Sequence, residues 1–241
     1  MIVFSFGITK SGSTLAFELA KGVATSAGYE QTLLPEELMY RDGRINFVQR
    51  QWPETLDQQV ALTRDKLIIV KTHANQPYKW RKRFAEWAEQ GLVGAHANSR
   101  DPRDICLSML DAGVKARRNG RKAFADVVTL DDVIPRIQKQ FKTFEQWRGL
   151  PNCLVLRHKE NAENPDTAIA RIARHLGVTC NAEAVKRHAF EDAFTQKNKA
   201  VPDRWRSELS EADLARLNEA FADYLTEESR SDPFEIEAAA S

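Results

Sequence analysis

The chain has 241 residues, 42% of them hydrophobic and 29% charged, and its formal net charge is +1. Such a composition supports one large folded domain with a real core and excludes a disordered or low-complexity chain. The balance of charge also excludes a uniformly basic domain of the kind that grips nucleic acid. The clusters KWRKR (79–83) and KARRNGRK (115–122) therefore read first as solvated helix faces. Cys106, Cys153 and Cys180 form no C-x-x-C pair, so neither a zinc site nor a disulfide framework is expected, only buried thiols in a reducing compartment. The opening run MIVFSFG is too short for a signal peptide and lacks a basic n-region. No stretch approaches the roughly 20 apolar residues of a membrane span. A cytoplasmic protein is the expectation.

In chain order, residues 2–6 (IVFSF) form an apolar, β-branched and aromatic run of strand length that ends at Gly7. STLAFELAKGVATSAG (13–28) follows, with Leu15, Leu19 and Val23 at helical spacing and Gly28 to end the helix. KLIIVKTH (66–73) predicts a second, buried strand, LVGAHANSR (92–100) a third, and CLVLRHKE (153–160) a fourth, entered through Pro151 and Asn152. Helical patterns cover 79–90, 102–118, 131–148, 165–176 and 210–226, the last opening on Ser210, Glu211 and Asp213 as a capping box. Short apolar strands alternating with amphipathic helices predict an α/β fold, three layers deep, around a central and mostly parallel sheet. There is no internal repeat. We expect a single domain over 1–228 and a flexible tail over 229–241.

Strand, glycine loop and helix at the start are the context of a phosphate-cradling loop. Gly7 and Gly12 in GITKSGST keep the Walker A spacing, and the hydroxyls of Ser13 and Thr14 follow. The lysine, however, precedes the second glycine as Lys10, and Ser13 stands where the Walker lysine belongs. Ligands of parallel α/β sheets sit beyond the carboxyl ends of the strands. After the second strand come Lys71, Thr72 and His73, and after the third comes NSRDPRD (98–104). Three strand ends thus offer an anion loop, a lysine with a titratable histidine, and an arginine cluster. Each has a plain structural alternative: a glycine-serine turn, a packed histidine, a salt-bridged helix start. Together they describe a site for a highly anionic ligand.

These segments resemble the PAPS-dependent sulfotransferases. TKSGST (9–14) looks like their 5′-phosphosulfate loop, VKTH (70–73) like the segment that carries the catalytic base, and SRDPRDICLSM (99–109) like the 3′-phosphate segment, with Arg100 followed eight residues later by Ser108. LRHKENAENP (156–165) and DRWRSELSEAD (203–213) are similar to later segments of the family, so the likeness runs through nearly the whole chain in order. The family usually has an aromatic where Leu15 stands and a tyrosine where His158 stands. Its Arg-Lys-Gly segment falls on Asn198, Lys199 and Ala200, where only Lys199 agrees.

The resemblance implies transfer of the sulfuryl group of PAPS to a hydroxyl or amine of a small-molecule acceptor, with no metal required. Lys10, Ser11, Gly12, Ser13 and Thr14 would hold the 5′-phosphate, with Lys10 on the leaving oxygen and His73 as base. Imidazole has an ordinary pKa of about 6.5. Lys71 would assist the sulfuryl oxygens or form a structural ion pair. Arg100 and Ser108 would take the 3′-phosphate, Ser108 being otherwise a helix-packing residue, and Lys199 would join them. Phe190 would flank the adenine or fill the core. Two other readings remain open on the sequence: a non-catalytic nucleotide-binding protein of the same fold, and an ATP-dependent small-molecule kinase. Loops 29–55, with Tyr40, Phe47 and Trp52, and 111–130 are where the acceptor would bind. The sequence reveals neither the acceptor nor the oligomeric state.

Overall fold

The computed structural model describes residues 1–39, 45–49, 52–193 and 201–225. Its described residues fall into two compact units, one within 1–100 and 140–200, the other within 101–139 and 201–241.

The first unit is built on five strands: β1 (Ile2–Gly7), β2 (Phe47–Val48), β3 (Ile68–Thr72), β4 (Val93–Ser99) and β5 (Cys153–Arg157). Their order is β2-β3-β1-β4-β5, and every pairing is parallel. β1 is therefore central, and strand order reverses across it, which is where parallel sheets open a crevice for ligands. On one face pack α1 (Ser13–Ser26), α7 (Pro165–Leu176) and α8 (Ala182–Arg187), burying Val3, Ile69 and Leu156 against Phe17, Leu19, Ile169 and Ile172. On the other face Phe4 and Phe6 meet Trp80 and Phe84 of α3 (Tyr78–Ala88) and Trp147 of α5 (Leu130–Arg148). The Phe4–Trp80 contact is edge-on at 5.5 Å, a geometry that adds about 1 kcal/mol beyond the area buried. Alternate residues of β1 thus face two apolar layers, as its unbroken hydrophobic run requires.

Several short elements were not foreseen, β2, α2 (Pro53–Leu62), α6 (His158–Glu163), α8 and α9 (Trp205–Glu208) among them. β2 has only two residues, below the length at which alternation can be read. α2 opens on a first-turn proline and buries Leu56, Gln59 and Val60. α6 begins one residue after β5, so the expected fourth strand stops at Arg157.

The second unit contains α4 (Pro102–Arg118), α9 (Trp205–Glu208) and α10 (Glu211–Ala220). Asp101 caps α4 by accepting from the Arg103 amide at 2.9 Å, and Ser210 caps α10 by accepting from the Asp213 amide at 3.1 Å. The Asp104 carboxylate accepts from the amides of Asp203 (2.9 Å) and Trp205 (3.2 Å). The Trp205 ring is flanked by the guanidinium groups of Arg103 at 3.5 Å and Arg206 at 4.3 Å, contacts favoured by the ring quadrupole. All three cysteines are free thiols, Cys106 buried and the other two half-buried. No described helix is long and apolar enough to cross a membrane.

Candidate functional site

The strand register brings the chemistry to one edge of the sheet. Phe6 pairs with Thr72 and Gly7 with Asn98, so Gly7, Asn98 and, one residue beyond Thr72, His73 stand level at the carboxyl end. The loop between β1 and α1 then turns twice through left-handed backbone, at Lys10 (φ 73°) and Gly12 (φ 80°). Alternating hand in successive residues aims neighbouring N–H groups into one concavity, a nest for an anion. For Lys10 the conformation costs about 1–2 kcal/mol, since only glycine enters it freely. α1 continues from this nest with no side-chain cap and no acidic residue in its first turn. Its amide end and the positive pole of its dipole therefore point at the loop.

Three amides that sequence reasoning missed strap the loop in place. Asn98 Nδ2 donates to the carbonyl and the hydroxyl of Ser11 at 2.9 and 3.0 Å. Asn161 Nδ2 donates in turn to Asn98 Oδ1 at 2.9 Å, and Gln140 Oε1 accepts from the Thr9 amide at 2.6 Å. Both glycines are spatially required: a Cβ on Gly7 would lie 2.4 Å from Ser13 Cβ, and one on Gly12 would lie 2.5 Å from His158 Nδ1. His158 is 4% exposed, and neither ring nitrogen has a hydrogen-bond partner among the described residues. Burial and the nearby Arg100 guanidinium push its pKa down to about 4, so it is neutral near pH 7. The resemblance marks His158 only as standing at the family's tyrosine position, with no role attached.

Lys71 and His73 both reach the loop. Lys71 Nζ donates to Thr14 Oγ1 at 2.6 Å, and burial lowers its pKa to about 8 against the opposing pull of Glu18. His73 Nδ1 lies 2.5 Å from the Gly7 carbonyl oxygen, with Phe47 edge-on to its ring at 5.7 Å. A carbonyl only accepts, so the contact puts the proton on Nδ1 and leaves the lone pair on Nε2. The ordinary pKa expected for this imidazole is not what the structure gives. Burial, reinforced by the Lys71 charge and partly offset by the Gly7 contact, pushes it down to about 4.

Of the other expected residues, Ser11 and Ser13 are buried within the loop, Arg100 is 8% exposed just after β4, and Ser108 is 3% exposed within α4 of the second unit. Phe190 sits in the π-helical turn His188–Asp192, half-buried against the apolar core beneath α1. Lys199 lies outside the described residues, as do Tyr40 and residues 226–241. Among the described residues no group of three or more His, Cys, Asp or Glu side chains is assembled that could hold a metal ion.

An all-parallel sheet with helices on both faces, its central strand running into a glycine loop and α1, defines a three-layer α/β fold. The solved structures sharpen this. Mouse sulfotransferase SULT7A1, complexed with PAP, matches with a TM-score of 0.62 at 15% identity, over 100% of this chain and 88% of that one. Retinol dehydratase in complex with retinol and PAP gives 0.55 at 17% identity over 93% and 81% of the two chains. Its complex with androsterone and inactive cofactor PAP gives 0.52 at 18% identity over 93% and 80%. The fold is thus that of the cytosolic-type sulfotransferases. No family model matches the sequence, and no curated protein matches it either.

Proposed function

We propose that the protein is a PAPS-dependent sulfotransferase that moves a sulfuryl group to a hydroxyl or amine of a small-molecule acceptor and releases adenosine 3′,5′-bisphosphate. The observation that carries this reading is the seating of two side chains at the end of β3 beside the β1–α1 loop: Lys71 on Thr14 and, one residue past the strand, His73 on the Gly7 carbonyl. A protein that only bound a nucleotide would have no use for an oriented imidazole there. Bound PAPS would supply the sulfuryl group already attached to a phosphate leaving group.

The residues present fit such an anion. The nest at Lys10–Gly12, the amide end of α1 and the hydroxyls of Ser13 and Thr14 would hold the 5′-phosphate. His73 Nε2 would take the acceptor's proton as the acceptor oxygen or nitrogen bonds to sulfur. The sulfur–oxygen bond to the phosphate breaks in line with that attack, and Lys10 meets the charge that develops on the leaving oxygen. Help of that kind is realised mainly in the transition state. A base is typically worth about 10²–10⁴-fold, and at neutral pH His73 is already unprotonated. Arg100 would grip the 3′-phosphate through a charge-assisted, bidentate contact. Ser108, Phe190 and Lys199 are assigned to the donor by the sequence resemblance alone.

Calorimetric titration with adenosine 3′,5′-bisphosphate, in the presence and absence of ATP–Mg²⁺, tests the proposal on the wild type and Arg100→Ala. We expect tight bisphosphate binding, indifferent to ATP–Mg²⁺ and weakened at least tenfold in the variant. Preference for ATP–Mg²⁺ would replace the reading by a kinase, and binding of neither would withdraw it.

A further inference from the structure

One peptide of the β1–α1 loop has its direction set by a side chain from another element. Ser11, Asn98 and Asn161 are each 0% exposed. The Ser11 carbonyl accepts from Asn98 Nδ2 at 2.9 Å, and the Ser11 hydroxyl lies 3.0 Å from the same nitrogen. A carbonyl only accepts, so Asn98 turns its Nδ2 to Ser11 and its Oδ1 away. Asn161 Nδ2 donates to that Oδ1 at 2.9 Å and so fixes the same amide orientation from the other side. Asn161 is itself seated in a tied element. Its neighbour Glu160 is bound by Arg171 Nη1 at 2.5 Å, and Arg171 Nη2 donates to the Val155 carbonyl of β5 at 3.0 Å.

A trans peptide is planar, with its C=O and N–H on opposite sides. With the Ser11 carbonyl turned to Asn98, the Gly12 N–H points the other way, away from Asn98. Gly12 does not enforce that direction. Packing against His158 demands a glycine at this position, and glycine enters either sign of φ about as readily. Reversing the Ser11–Gly12 peptide changes chiefly ψ of Ser11 and φ of Gly12, so the residue that the packing requires is also the one that lets the peptide turn over.

We propose that Asn98, oriented by Asn161, is a positioning residue that locks the Ser11–Gly12 peptide with its N–H toward the 5′-phosphate. The proposal deepens the sulfotransferase reading and rests on it for the identity of the anion. Without the lock the peptide turns over and presents the Ser11 carbonyl oxygen to the phosphate. One donor is then lost and an acceptor stands in its place. The contact proposed for Arg100 with the 3′-phosphate does not involve this peptide.

Two readouts test the lock in Asn98→Leu, which keeps the side-chain volume and removes the amide. The first is the crystal structure of the ligand-free variant beside that of the ligand-free wild type. We expect Gly12 at positive φ in the wild type and at negative φ in the variant, with the Ser11 carbonyl turned into the loop. An unturned peptide overturns the proposal. The second is calorimetry with two mononucleotides. Adenosine 5′-monophosphate should bind the variant about tenfold or more weakly than the wild type, as loss of one hydrogen bond to a charged group requires. Adenosine 3′-monophosphate should bind both proteins alike. Unchanged affinities overturn the proposal, and so does equal weakening of the two, because a residue that merely supported the fold would loosen the whole site. Should Asn98→Leu not fold, Asn161→Leu decides on the same split: weakening confined to the 5′-monophosphate supports the proposal, and any other pattern overturns it. If the wild type binds neither mononucleotide, the sulfotransferase reading falls, while the peptide direction in the ligand-free crystals still decides on the lock.

Discussion

Acid should unfold this protein through histidines that the fold holds neutral, and His96 is the cleanest place to see it. Its side chain lies in the middle of β4 at 0% exposure, beside Ser5 on β1 and with the His175 ring at 5.1 Å. Neither ring nitrogen has a hydrogen-bond partner among the described residues. Burial, aided by His175, lowers its pKa to about 3. The folded value lies below the unfolded one, so the stability that a neutral His96 confers is complete above the unfolded pKa of about 6.5 and is lost as pH falls towards 3. Each unit of pH in that window costs about 1.4 kcal/mol, which makes the loss between pH 7 and pH 5 about 2 kcal/mol for His96. His73 and His158, both lowered to about 4, follow the same sign, and the three together remove about 6 kcal/mol by pH 5. That is comparable with the whole stability of an ordinary domain, about 5–15 kcal/mol. The perturbation is His96→Leu, which removes the titration and both unpartnered nitrogens. Urea unfolding followed by fluorescence of the buried Trp80 and Trp147 should place the variant within about 1 kcal/mol of wild type at pH 7. At pH 5 it should be about 2 kcal/mol more stable than wild type. Parallel pH dependences for the two proteins would refute the reasoning.

The β1–α1 loop and the buried His73 give two further expectations. Gly12→Ala must strain a backbone at φ 80° and force His158 aside, at a cost of about 1–3 kcal/mol. Thermal melts should show that adding His158→Ala recovers the steric share and not the backbone share; simple additivity of the two substitutions would show that the glycine is not in contact with His158. For the pH profile, kcat/KM reports groups of the free enzyme, in which His73 lies at about 4. Steady-state sulfuryl transfer should therefore show no acid limb near 6.5, and a limb there that disappears in His73→Gln would contradict the burial of that imidazole.

The sheet was legible because buried parallel strands announce themselves as unbroken apolar runs, and 2–6 and 66–73 are such runs. The helix over 102–118 was found with its bounds because Asp101, Pro102 and Asp104 mark its start in the chain. The straps of the loop were not legible. Asn98, Asn161 and Gln140 come from three separate elements, and a side-chain amide 87 residues from its partner leaves no local pattern. Nor was the state of His73, since the residue type announces an imidazole while burial beside Lys71 sets its charge. α2 could have been read: Trp52-Pro53 starts it, Glu54 suits its first turn, and Leu56 and Val60 repeat at four residues.

The displaced lysine has a steric reason in the fold. Position 13, where a Walker loop carries its lysine, is filled by a serine that is 7% exposed and packs so closely on β1 that even a Cβ on Gly7 would collide with it. A long cation could not leave the helix there without opening β1 from α1. Lys10 is free of that constraint: it stands three residues earlier, in left-handed backbone and half-exposed. Lys71, rising from β3 to Thr14, supplies a second cation from beneath. Under the proposed function, two lysines on one loop suit a ligand in which a bridging oxygen takes up charge as its bond to the transferred group breaks.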